Sequence, residues 1–306
     1  MAETPREHHE HFLVRSYEVE PDGRLRLVVL LRMLQEAAWQ HANLLGKGFH
    51  HRQEGALFWV LSRLRLRMDR YPRWGDRFTI RTFPVGTQKL FALREFSLHA
   101  DDGTLLGRAS SAWLVVDASR GRPVRPQPVV ADIVTTESEF SADLERIPAF
   151  ENDADTASPP DPYPGRADLA SAAASRPGAA VATAGPVPVR YHDIDQYRHV
   201  NNAAYLEWVL DALDPARPMG SVVTELALDF LKETVLEDAY QVRLRAAGAT
   251  DHFQVDRQPA AGRLSGAGRH PSAGRQADPP NEIVDPPAPA EPEAAVRGYL
   301  TWRPLE

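Results

Sequence analysis

The chain has 306 residues, 43% of them hydrophobic and 25% charged, with a net charge of −7 and no cysteine. That is enough chain for one large core or two smaller ones, and it excludes disulfides, cysteine-based metal centres and a thiol nucleophile. The acidic balance gives no global electrostatic case for nucleic acid. No apolar run approaches the roughly 18–20 residues that cross a bilayer. The charged N-terminus does not read as a secretory or transit signal, so a cytoplasmic protein is expected.

In chain order, His8, His9 and His11 come first; with the pair His50-His51 they lack carboxylates at ligand spacing and read as surface, so no metal is expected. From Leu27 to Leu45, apolar residues at Leu27, Leu30, Leu31, Leu34, Ala38 and Leu45 recur at helical spacing. Leu57 to Met68 alternates Leu64 and Leu66 with Arg63, Arg65 and Arg67, the pattern of a half-buried strand. A turn through Tyr71 to Asp76 follows, then strands over Arg77 to Phe83, Phe91 to Ala100 and Leu105 to Asp117. Asp101-Asp102-Gly103 makes the hairpin turn between the last two. Ser158 to Gly185 is rich in Ala, Ser, Pro and Gly and reads as part of a linker spanning 136–185.

The order then repeats: a strand over Val187 to Tyr191, a helix from Asn202 to Leu213, an alternating strand over Val222 to Phe230, and strands at Tyr240 to Arg245, Phe253 to Val255 and Val296 to Trp302. A Pro/Gly-rich stretch at about 257–293 reads as a disordered insertion between two strands. Sliding the halves so that Leu64 meets Leu226 also brings Leu66 onto Leu228, Met68 onto Phe230 and Asp76 onto Asp238. This predicts an internal duplication of the α+β class, each sheet wrapping one helix.

The densest polar cluster, His192 to Asn202, runs directly into the second helix. It is either a capped polar loop or a site in which Asp195 and His199 move protons beside a helix N-terminus suited to an oxyanion. Glu233 closes the strand after that helix, where the first half has Tyr71.

The run Asp193-Ile194-Asp195, His199-Val200-Asn201-Asn202, Tyr205-Leu206-Glu207-Trp208 resembles the acid–HVNN–Tyr motif of hotdog-fold thioesterases. With Asp69-Arg70-Tyr71-Pro72-Arg73-Trp74-Gly75-Asp76 and Arg108-Ala109-Ser110-Ser111-Ala112-Trp113, the wider pattern is similar to plant and bacterial acyl-ACP thioesterases. The resemblance implies a tandem (double) hotdog: an acyl-binding half at 10–135 and a catalytic half at 186–306. It implies hydrolysis of fatty acyl-ACP in a bacterial cytoplasm without cofactor, with acyl carrier protein as partner and a homodimer left open. Asp195, His199 and Glu233 become the catalytic group, with Tyr197 a further candidate. Tyr197 stands where family members carry Asn, and Thr234 where plant enzymes carry Cys. Backbone N–H groups of Val200, Asn201 and Asn202 become oxyanion donors, and Leu30, Leu34, Ala38 and Trp39 line the acyl pocket. Carrier docking is expected on Arg63, Arg65 and Arg67, with Lys89, Arg94, Arg122 and Arg125 as further candidates. The alternatives are an acyl-CoA thioesterase of the hotdog superfamily and a non-catalytic acyl-binding tandem hotdog, the latter kept open by Tyr197.

Overall fold

A computed structural model describes residues 5–48, 57–140, 144–149, 181–260 and 291–305. The bulk of the expected linker (150–180), the core of the expected insertion (261–290) and His50-His51 lie outside them.

The first half runs β1 (His8–Leu13), α1 (Leu27–Leu44), β2 (Leu57–Met68), β3 (Arg77–Gln88), β4 (Phe91–Ala100), β5 (Leu105–Asp117) and the short β6 (Arg122–Val124) and α2 (Gln127–Val130). The second runs β7 (Ala182–Pro188), α3 (Asn202–Ala212), α4 (Ala216–Gly220), β8 (Ser221–Phe230), β9 (Ala239–Ala247), β10 (Thr250–Gln258) and β11 (Glu293–Pro304). The strands form one antiparallel sheet in the order β1-β3-β4-β5-β2-β8-β11-β10-β9-β7, with β6 beside β5. The order reads the same from either edge once β1 is matched to β7, β2 to β8, and so on. This is the α+β duplication that the sequence pattern predicts and the double hotdog that the resemblance implies.

The halves join through β2 and β8. Leu64 stands opposite Leu228, Leu66 opposite Leu226, and Arg65 opposite its own counterpart, Ala227. Reciprocal pairing of this kind defines a local two-fold axis, the geometry of an isologous dimer interface built within one chain. The two halves also bulge at matching points, between Leu98 and His99 and between Val255 and Asp256.

Each helix buries one stripe against its own part of the sheet. On α1 the stripe is Leu27, Leu30, Leu31, Leu34 and Ala38; on α3 it is Ala203, Leu206 and Val209, widened by Tyr205 and Trp208. Facing strands of the first half supply Leu64, Leu66, Phe78, Ile80, Phe96 and Leu98 and those of the second Leu226, Leu228, Phe253 and Val255, all to one continuous core. Each large apolar side chain so buried contributes about 1.5–3 kcal/mol. The helix α1 stops at Gly46, whose positive φ of 69° lets its N–H reach the carbonyl of Asn43. No helix among the described residues is long and apolar enough to cross a membrane.

Three expectations change. His8 to His11 belong to β1, paired to β3 alone at the sheet edge. The strand expected from Val187 begins earlier, so Ala182 to Gly185 leave the linker and join β7. That strand accepts Pro186 and Pro188 because it is an edge, with β9 on one side only. Tyr191 to Asp193 is a single 3-10 turn rather than the end of a strand.

Candidate active site

The loop from Arg190 to Asn201 is a closed unit held by its own backbone. Asp193 accepts the Arg190 N–H through Oδ2 (2.8 Å), and its carbonyl accepts the Asn201 N–H (2.8 Å). The Asp195 N–H reaches the His199 carbonyl (2.8 Å), and the Arg198 N–H returns to the Asp195 carbonyl (3.0 Å). The Asp195 carboxylate accepts the backbone N–H groups of Tyr197 (2.8 Å) and His199 (3.3 Å) through Oδ1. The loop is fastened to the turn that follows β8 by the Val200 N–H on the Thr234 carbonyl (2.8 Å). Asn201 then caps α3, its Oδ1 accepting the Ala203 N–H at 2.9 Å.

These bonds bring His199 to the carboxylate expected from the sequence: Nε2 lies 3.4 Å from Glu233 Oε2. Both side chains are open to solvent, at 40% and 51% exposure, so a substrate can reach them. Asp195 orients His199 through the backbone, not through the ring. Tyr197 is 41% exposed on the same loop. A paired imidazole and carboxylate at a solvent-open helix N-terminus can activate water and protonate a leaving group. No group of three or more potential metal ligands occurs among the described residues.

Two of the three expected oxyanion donors are already occupied. The Val200 and Asn201 N–H groups close the loop onto Thr234 and Asp193. Asn202, the first residue of α3, has an N–H that no helical carbonyl can take, and it is the member of the set that fits the role.

The docking stripe is also corrected. Arg65 is buried, donating to Asp229 Oδ1 (3.0 Å) and to the carbonyls of Leu228 (3.0 Å) and Glu145 (2.6 Å). Arg63 donates to the Leu144 carbonyl, and only Arg67 of the three is exposed. The segment 144–149 crosses this face of the seam and takes up the guanidinium groups, so no open arginine stripe exists there. Arg94, a further docking candidate, turns inward to Thr82 and His41. Of the acyl-pocket candidates, Leu30, Leu34 and Ala38 are buried in the core under α1 and Trp39 is half-buried beside them.

A twin of this loop, which sequence reading missed, spans 15–26. Its Arg15 N–H is taken by Glu18 (2.7 Å), the Glu20 N–H reaches the Arg24 carbonyl (2.7 Å), and the Gly23 N–H reaches the Glu20 carbonyl (2.9 Å). The Leu25 N–H reaches the Pro72 carbonyl (2.8 Å), as Val200 reaches Thr234. Glu20, Arg24 and Tyr71 therefore occupy the places of Asp195, His199 and Glu233. The signal was present in the pairs Arg15/Arg190, Glu18/Asp193 and Leu25/Val200, but their offset differs from the one that aligns the strands. A groove of about 940 Å³ opens beside the twin, lined by Arg24, Tyr71 and Arg303; it touches none of Asp195, His199 and Glu233. Burial raises the Glu20 carboxyl, against the opposing pull of Arg26 and Arg24, and burial also raises the Tyr71 phenol.

The sheet, the helices and this loop define a double hotdog of the thioesterase class. Residues 5–136 match the acyl-ACP thioesterase N-terminal domain and residues 179–270 the C-terminal domain, and the chain belongs to the acyl-ACP thioesterase family. It is 28% identical over 256 residues to an acyl-[acyl-carrier-protein] hydrolase of Cuphea viscosissima, covering 80% of this chain and 57% of that protein. It is 25% identical over 248 residues to a dodecanoyl-[acyl-carrier-protein] hydrolase of Cinnamomum camphora, covering 78% and 59%. The chain thus spans little more than half the length of these relatives. In fold it matches the 12:0-ACP thioesterase of Umbellularia californica (TM-score 0.71, 18% identity, 100% of both chains). It also matches an acyl-ACP thioesterase of Bacteroides thetaiotaomicron (TM-score 0.68, 19% identity, 97% and 98%).

Proposed function

We propose that this chain hydrolyses the thioester of fatty acyl groups carried on acyl carrier protein, releasing free fatty acid and holo-carrier. The contact between His199 and Glu233 carries the reading. The pair takes a proton from water, and the water oxygen attacks the thioester carbonyl. The oxyanion that forms lies toward the Asn202 N–H at the start of α3. Collapse breaks the C–S bond, and His199 returns the proton to the thiolate. Asp195 holds the loop so that His199 meets Glu233. The first half, with α1 over β3 and β4, takes the acyl chain, and the second half does the chemistry. A cytoplasmic place of work belongs to the same proposal; the plant relatives are named chloroplastic.

Glu233→Gln keeps the shape and removes the base, so kcat on acyl-ACP is expected to fall at least about a hundredfold. Turnover within a few-fold of wild type would remove Glu233 from the mechanism. Rates on acyl-ACP and acyl-CoA with the same chain decide the carrier, and faster turnover of the CoA thioester would reassign the substrate.

A further inference from the structure

The carbonyl of Glu233 is held by a side chain from across the sheet. Arg257, at the end of β10, donates through Nη1 to the Glu233 carbonyl oxygen at 2.8 Å. The same guanidinium meets Glu293 Oε2 through Nε at 2.9 Å and Nη2 at 2.8 Å, and Glu293 is its register partner on β11. Asp238 lies 3.8 Å from Nη1, with its side chain fully buried. Arg257 is itself only 13% exposed, so this is no loose surface pair. One planar group thus ties the residue bearing the candidate carboxylate to the base of the β10–β11 connection.

The first half shows what the fold needs without this arrangement. There the Asp69 and Arg70 N–H groups share the Leu106 carbonyl (2.9 and 3.1 Å), as Leu231 and Lys232 share that of Ala295 (2.8 and 3.2 Å). Tyr71 follows where Glu233 follows. The counterpart of Arg257 is Ala100: it stands opposite Phe78, as Arg257 stands opposite Tyr240. Ala100 closes its hairpin by a backbone bond to Thr104, and no side chain reaches the Tyr71 carbonyl among the described residues. The segment after the strand folds in both halves; the arginine stands at this place only in the half where that segment carries a carboxylate beside a histidine.

We propose that Arg257 is a positioning residue: held by Glu293, it fixes the Glu233 backbone so that the carboxylate stays on His199. This rests on the proposed role of Glu233. An error of about 1 Å at a reacting group can reduce turnover about a hundredfold, so loss of one backbone tether is expected to reduce it about tenfold.

The test is steady-state kinetics of the full chain on acyl-ACP. Arg257→Met should lower kcat at least about tenfold with KM within about twofold. In a Glu233→Gln background the same change should add less than about twofold, because the two act through one group. Exchanging the charges, Arg257→Glu with Glu293→Arg, should not restore kcat, since a carboxylate cannot donate to the Glu233 carbonyl. Recovery by the exchange would overturn the proposal, showing an ion pair that only closes the strands. If Arg257→Met does not fold, Arg257→Lys retains a donor and decides the matter: a kcat within twofold of wild type with the exchange also active would overturn it. A wild type that responds to Glu233→Gln but not to Arg257→Met sinks this inference alone. Indifference to Glu233→Gln sinks the reading beneath it.

Discussion

Two loops of this molecule have the same backbone and different side chains. In both, a 3-10 turn closed by an acidic side chain leads into a five-residue turn, and one N–H fastens the loop to the strand ending beside it. Only the second presents a carboxylate and an imidazole in contact, at 3.4 Å. The first presents Glu20, Arg24 and a buried Tyr71. The repeated bonds are those that satisfy backbone groups at a helix entry, which every copy of the fold must solve. The three side chains proposed to carry the chemistry are not among the groups that the fold repeats, and the first half folds with Glu20, Arg24 and Tyr71 in their places.

The comparison extends to the helices, and pH is the way to separate them. On α1, His41 is completely buried; burial and the neighbouring Arg94 hold its pKa at about 4, well below the usual imidazole value. Its folded-state pKa is depressed, so below pH 6.5 the unfolded chain takes up a proton that the folded chain refuses. Stability is therefore lost as pH falls from 6.5 toward 4, by on the order of 3 kcal/mol when the drop is complete. No histidine lies on α3. Urea unfolding of wild type and His41→Gln at pH 7, 5.5 and 4.5 isolates the effect. Parallel pH dependences in the two proteins would mean that water reaches the ring.

Next in size is the effect of emptying the equivalent positions in the two loops. His199→Ala should reduce kcat on acyl-ACP about a hundredfold. Arg24→Ala, at the matching place, should leave kcat within about twofold; it pairs with Asp22 in its own loop and donates to the Ser221 carbonyl (3.4 Å), at the far end of β8 from Glu233. Comparable losses in both would show that the first loop takes part in turnover, and the division between the halves would fail.

Much of this was legible in the sequence. The bounds of β2, β4 and β5 match the expected ones; for β2 the signal was Leu64 and Leu66 alternating with arginines, and for β4 and β5 it was the Asp101-Asp102-Gly103 hairpin turn between them. The candidate loop and Glu233 follow from the motif and its resemblance. What stayed hidden depends on partners far away in the chain. Arg65 alternates as an exposed residue should, yet Asp229 and the carbonyl of Glu145 take it in, and periodicity carries no information about a strap crossing the sheet. The β1 strand shows no apolar pattern because an edge strand is held by backbone bonds on one side. Val200 and Asn201 look like free donors at a helix start, and only the fold shows that their N–H groups close the loop. Arg257 has no motif at all, its partner Glu293 being reached only after a long intervening stretch.

The smallest difference between the loops is the residue type at one left-handed backbone position. Gly23 and Arg198 hold the same place, with φ of 84° and 66°, in the left-handed region where a side chain is strained. Glycine adopts it freely, whereas any other residue there costs on the order of 1 kcal/mol. A Cβ on Gly23 would meet nothing within 4 Å, so the penalty for substituting it is conformational, not steric. Gly23→Ala should therefore lower stability by up to about 1 kcal/mol, and Arg198→Gly should raise it by up to about 0.5 kcal/mol, less than the full strain because glycine also frees the unfolded chain. Urea midpoints of the two variants measure the pair, with opposite signs expected. Loss of stability in Arg198→Gly would mean that the arginine side chain contributes more than its backbone strain removes, and the two loops would then differ in structure as well as in chemistry.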